Sequence, residues 1–123
     1  MDSRTRTFIA TTFRSVWALE LLLQLRTEPG RAFAKEELVE RLRASESVVW
    51  RSTEALLAAG LVVEEANGAV RYAPASPAID QDVAKTEALY RSRPDAVRRV
   101  VVSSSAGNLA AFADAFRLWG QTK

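Results

Sequence analysis

The stretch from Ala44 to Glu65, ASESVVWRSTEALLAAGLVVEE, changes its hydrophobic period midway, and that change limits the fold more than any other feature of the chain. From Glu46 to Ala59 the spacing is helical. Val49, Thr53 and Leu56 cluster on one arc, while Ser47, Val48, Arg51, Glu54, Ala55 and Ala58 occupy the opposite one. Ser45 stands where its hydroxyl can cap the first turn, and Gly60 supplies the left-handed residue that commonly follows a helix. The chain then alternates as strands do. LVVEEANGAVRYAP reads as two strands, Leu61 to Glu65 and Ala69 to Ala73, joined through Asn67-Gly68, the strongest short-range hairpin signal.

Upstream, the spacing predicts a helix from Thr12 to Arg26, ended by TEPG at Thr27 to Gly30. Trp17, Ala18, Leu21, Leu22 and Leu25 share one arc, and Val16, Leu19 and Leu23 the other. Two apolar arcs need two partners. This helix is expected to lie between the core of its own domain and either the C-terminal helices or a second subunit. A shorter helix, Lys35 to Leu42, follows with Leu38, Val39 and Leu42 as its apolar face, and Arg43 to Ser45 makes the turn. Downstream, PAIDQDVAKTEALYRSR predicts a helix stopped before Pro94. PDAVRRVVVSS fits a helix through Val97, Val100 and Val101, although its consecutive valines also fit a strand. Leu109, Phe112, Phe116 and Trp119 form the stripe of a strongly amphipathic helix. The expected fold is mainly α with a small β-hairpin. Residues 1–77 form one unit with a basic N-terminal arm, and residues 78–123 form a helical extension that packs on it or makes a dimer interface.

A length of 123 residues suits one domain with its own core. There is neither cysteine nor histidine, which excludes disulfides and removes the ligands that dominate zinc, copper and haem sites. No metal and no cofactor are expected. Catalysis would fall to carboxylates, lysine or tyrosine, and the sequence gathers no constellation of them, so a non-enzyme is expected. The first residues lack the apolar run of a signal peptide, and LELLLQL is interrupted by Glu20 and Gln24. A cytoplasmic protein without a membrane segment is expected. SSSAGN, Ser103 to Asn108, has the hydroxyls and glycine of a small anion cradle but not the lysine or spacing of a phosphate loop, and a helix-capping loop explains it more simply.

The net charge is +2 and the pI 9.4. Arg4, Arg6 and Arg14 face only Asp2 near the N-terminus, whereas the hairpin carries Glu64 and Glu65 against Arg71. Basic character sits at the ends of the chain, not in the hairpin.

The segment FAKEELVERLRASESVVWRSTEALLAAGLVVEEANGAVRYAP resembles the winged helix-turn-helix transcriptional regulators of bacteria, the likeness running over about residues 12–73. EELVERL resembles the helix that crosses the DNA backbone, SESVVWRSTEAL the recognition helix, and AAGLV the glycine hinge into the wing. The resemblance implies that helix 46–59 enters the major groove and that the hairpin lies along the minor groove or the phosphates. On that face Arg51 can make a bidentate contact to guanine, Val48 can touch a thymine methyl, and Glu54 can accept from cytosine N4. Ser47 and Ser52 can donate to phosphate. Arg43, Lys35, Arg71, Arg4 and Arg6 are the candidate phosphate contacts, with Arg14 and Arg41 in reserve.

One such module carries few cations, so two copies on double-stranded DNA are expected, with Trp17, Leu21, Phe112, Phe116 and Trp119 as candidate interface residues. Trp50 and Leu57 are expected to pack beneath the hairpin or against the N-terminal segment. The competing expectation makes them part of a surface for another protein, in an adaptor module with little DNA affinity of its own.

Overall fold

A computed structural model describes residues 1–104. Its elements run α1 (Ser3–Thr12), α2 (Val16–Arg26), β1 (Ala32–Phe33), α3 (Lys35–Leu42), α4 (Glu46–Ala58), β2 (Val62–Glu64), β3 (Val70–Tyr72), α5 (Pro77–Ser92) and a helix α6 over 94–104. The architecture is mainly helical with one small antiparallel sheet, whose strand order is β1-β3-β2.

The helix expected from Thr12 onward starts later, at Val16. Ser15 takes an extended conformation and accepts a hydrogen bond from the Ala18 N–H at 3.1 Å, which caps α2. Phe13, also extended, drops its ring into the core and meets Phe8 edge to face at 5.9 Å between centroids. Apolar spacing continued through this break, so periodicity did not reveal it. The result is a 104° bend between α1 and α2. Residues 3–12, expected as a basic arm, form α1 instead. Asp2 accepts the Thr5 N–H at 2.7 Å, and that bond holds its carboxyl below the ordinary value. Ile9 is fully buried, and α1 packs against α5.

Both arcs of α2 are covered by the chain itself. Ala18, Leu19, Leu21, Leu22 and Leu25 are buried, with Val16 and Leu23 packed partly on them. Leu21, expected at an interface, is fully enclosed in this core and is out of reach of any partner. The most extensive helix contact is between α2 and α4, whose Val49, Thr53 and Leu56 all point inward. On α5, Glu87 pairs with Arg26 at 2.5 Å, and the Tyr90 hydroxyl donates to Glu20. Val83, Val97 and Val101 join the same cluster as Ile9 and Phe13, so a single core spans residues before and after Pro77. α6 is helical through all three of its consecutive valines, and Ser103 and Ser104 continue it. The expected stripe of Leu109, Phe112, Phe116 and Trp119 lies outside the described residues.

α4 ends in a glycine motif. Gly60, at φ 74°, sends its N–H to the Leu57 carbonyl, and the Leu61 N–H reaches back to Leu56, each at 3.1 Å. The hairpin that follows closes through a three-residue loop, Ala66 to Gly68. The Glu65 N–H donates to Ala69 at 2.7 Å, and Gly68 sits at φ 86°. β3 is the central strand. It pairs Val62 with Tyr72 on one side and Phe33 with Val70 on the other. β1 was not anticipated, since two residues are too short to show a period.

Tyr72 ties this sheet to α5. Its ring is 6% exposed, and its hydroxyl donates to Asp80 at 2.6 Å. Burial, with the Asp80 carboxylate second, raises this phenol from its ordinary 10.0 to about 12. The neutral form is therefore the one that folding favours. Stability from Tyr72 should be fully present below pH 10.0 and be lost as pH rises toward about 12. Urea unfolding followed across that window should show a steeper decline for the native chain than for Tyr72→Phe; equal slopes would mean that Tyr72 does not titrate with folding.

Candidate nucleic-acid interface

Because Val49, Thr53 and Leu56 fix the rotation of α4, the rest of the helix is aimed by default. Ser47, Arg51 and Glu54 are exposed, and Val48 is half-buried. Ser45 caps the helix by accepting the Val48 N–H at 3.1 Å, so the positive end of α4 opens on this same face. The Arg51 guanidinium donates to the Ser47 hydroxyl at 3.0 Å along the helix. Ser52, considered as a phosphate donor, is only 5% exposed and belongs to the buried side.

Arg43 stands in the turn between α3 and α4 with φ 54°, the one positive φ outside glycine among the described residues. Its N–H and that of Ala44 return to the carbonyls of Glu40 and Val39, which closes α3 in the manner usually left to glycine. Its side chain is exposed and makes no hydrogen bond or ion pair.

The remaining candidate cations are differently placed. Lys35 is ion-paired with Glu64 of β2 and lies 5.2 Å from the centroid of the Trp50 ring, with its side chain only 14% exposed. Arg71 pairs with Glu65 at 3.1 Å across the hairpin. Arg41 pairs with Glu37 at 2.8 Å; that carboxyl is held below its usual range chiefly by Arg31. Arg4 pairs with Asp82 of α5 at 3.1 Å. Arg6 lines a separate groove between α1 and α6. Of the candidate set, Ser47, Val48, Arg51, Glu54 and Arg43 come together. Lys35 and Arg71 border them in a neutralised state, and Arg4 and Arg6 belong elsewhere.

Trp17, assigned to an interface, lines a groove of about 310 Å³ beside Arg14, Val48, Arg51 and Ala55. It is 42% exposed. The break at Ser15 is what brings it and Arg14 onto the α4 face, and only the Ser15 hydroxyl at a capping position signalled that break. Trp50 is 38% exposed, its ring covered on one side by Lys35 and bordered by the hairpin loop at Asn67 to Ala69. Among the described residues no group of acidic side chains is placed to hold a metal. Among the described residues no single helix is long and apolar enough to cross a membrane; the bent pair α1–α2 passes by length and composition, and its buried apolar residues belong to the core.

No family model, curated protein or solved structure matches this chain.

The left-handed backbone at Arg43 costs roughly 1 kcal/mol for a residue with a Cβ. Arg43→Gly should therefore raise unfolding stability by up to about 1 kcal/mol, less the entropy that glycine gains in the unfolded chain. Chemical denaturation measures this directly, and a loss of stability would show that the arginine side chain supports the turn.

Proposed function

We propose that this protein is a winged helix-turn-helix DNA-binding regulator that acts as a homodimer, with α4 in the major groove and the β2–β3 hairpin as the wing. The observation that carries the reading is the strip Ser47, Arg51 and Glu54. It is exposed along a helix whose opposite side is locked into the core, with the capped helix start and the unpaired Arg43 at its head. The element order from α2 to β3 supports it. So does the antiparallel hairpin continuing directly from α4, the order expected of a wing after a reading helix.

Within this reading Arg51 leaves Ser47 for a guanine edge, Val48 meets a thymine methyl, and Glu54 discriminates by accepting from cytosine and repelling other acceptors. Arg43 holds phosphate at the helix start. Two copies on a palindrome double a contact set that one module leaves small.

A second reading, a module that docks on another protein, draws on Trp17 and Trp50. Both remain large and partly exposed beside α4, while Lys35 and Arg71 are already neutralised. Titration of labelled duplex pools at low ionic strength separates the two readings. Salt-sensitive binding is expected, and its complete absence at low salt would overturn the DNA reading.

Arg51→Ala should weaken binding to the preferred duplex by about 1–3 kcal/mol and random duplex by less. Equal losses on both would reduce Arg51 to a phosphate contact. Glu64→Gln removes a carboxylate and releases Lys35, so it should tighten binding to every duplex and steepen the salt dependence by about one phosphate contact. Unchanged affinity and slope would place Lys35 away from the DNA.

A further inference from the structure

Most arginines of the described residues are partnered. Arg6, Arg43, Arg93 and Arg99 are the exceptions that make no side-chain hydrogen bond or ion pair, and all but Arg43 line one groove between α1 and α6. The contrast is sharpest between near neighbours. On α1, Arg4 pairs with Asp82 while Arg6, two residues on and so on the other side of the helix, faces the groove unpaired. On α6, Arg98 is held by Asp95 and by the Tyr90 ring, while the adjacent Arg99 is left to the groove.

Among the described residues no carboxylate lines this groove. Residues 105–123 bring only Asp114 against Arg117 and Lys123, so their composition supplies no surplus negative charge to neutralise it. Gathering like charges with no counter-charge opposes folding and concentrates field in a concavity, which is the arrangement that attracts anions. The groove holds about 460 Å³, within the usual range for small-molecule sites. Ser103 and Ser104 add hydroxyl donors on one side, and Ala10, Ala96 and Val100 give an apolar wall. The serines belong to SSSAGN, but they contribute as helical side chains, not as a loop.

We propose that this groove binds a small phosphate-bearing ligand, with Arg6, Arg93 and Arg99 as its anchors. Guanidinium forks match the oxygens of phosphate in pairs, and three of them suit a group with more than one phosphate. The apolar wall would take the non-phosphate part. The site shares no residue with the α4 face, so it stands or falls independently of the DNA reading.

Calorimetric titration of the full chain at low ionic strength tests it, with inorganic pyrophosphate and adenosine triphosphate as probes. Saturable binding of one probe molecule per chain is expected. Arg6→Gln with Arg99→Gln should weaken it by roughly tenfold or more, because charge-assisted hydrogen bonds are lost. Arg91→Gln, which removes the same kind of charge from an exposed position on α5 outside the groove, should leave it nearly unchanged. Tighter binding of adenosine triphosphate than of pyrophosphate would assign the apolar wall to a nucleoside, and the reverse order would assign the site to phosphate alone. Should the double variant fold poorly, Arg99→Lys keeps the charge, loses the fork and should still weaken binding. No binding of either probe, or equal losses in the Arg91 variant, overturns the proposal. So does a groove variant that weakens duplex binding while the wild-type chain binds neither probe, which would make these arginines contacts for a DNA backbone.

Discussion

Everything in this structure depends on α2 being apolar on two sides. A helix with both arcs hydrophobic has no stable place at a surface, so the chain has to bring material to each arc. α4 answers one need and, in doing so, fixes its own rotation. β3 and α3 pack on it as well, and residues of the N-terminal helix and of the helices after Pro77 join the same core. The outer strip of α4 is thus a by-product of α2. Nothing local to Ser47 or Arg51 directs them outward; they face solvent because Val49, Thr53 and Leu56 have been claimed.

Charge follows a similar economy. Where the fold needed ties between elements it used ion pairs that cross between helix and strand or helix and helix: Lys35 to Glu64, Arg26 to Glu87, Arg4 to Asp82. Exposed pairs of this kind add little to stability individually. Their larger effect is on the outside field, since each removes a cation from the set that a polyanion can meet. Among the described residues, the arginines that remain unpaired are confined to the head of α4 and the groove beside α1, and the net charge of +2 conceals that separation.

α4, the turn before it, the hairpin after it and α5 were legible in the sequence because each carries a local signal: a period, a capping serine, a glycine, or the Asn67-Gly68 pair. The break at Ser15 was not legible, because Phe13 continues the apolar spacing although it leaves the helix. With the break missed, Arg14 fell in an arm, and the groove it shares with Trp17 beside α4 went unseen. β1 escaped because a two-residue strand is defined by its partner, β3, and not by itself. For the site, residue type and face could be read from α4 alone. Whether a cation was available could not, since Lys35 and Arg71 lose their freedom to Glu64 and Glu65 only when the hairpin folds.

The position of α1 has a consequence for how the chain reaches this state. α1 buries Ile9 against elements that come late, and its ion pair to Asp82 spans 78 positions. During synthesis α1 is therefore without its partner until α5 has emerged. α2 to β3 can assemble in sequence order, each element next to the last, and α1 must wait. Closure of the molecule is a late, long-range event, slow relative to the local steps. In that interval the part of the core that Val83, Val97 and Val101 later join is the surface most open to misassociation.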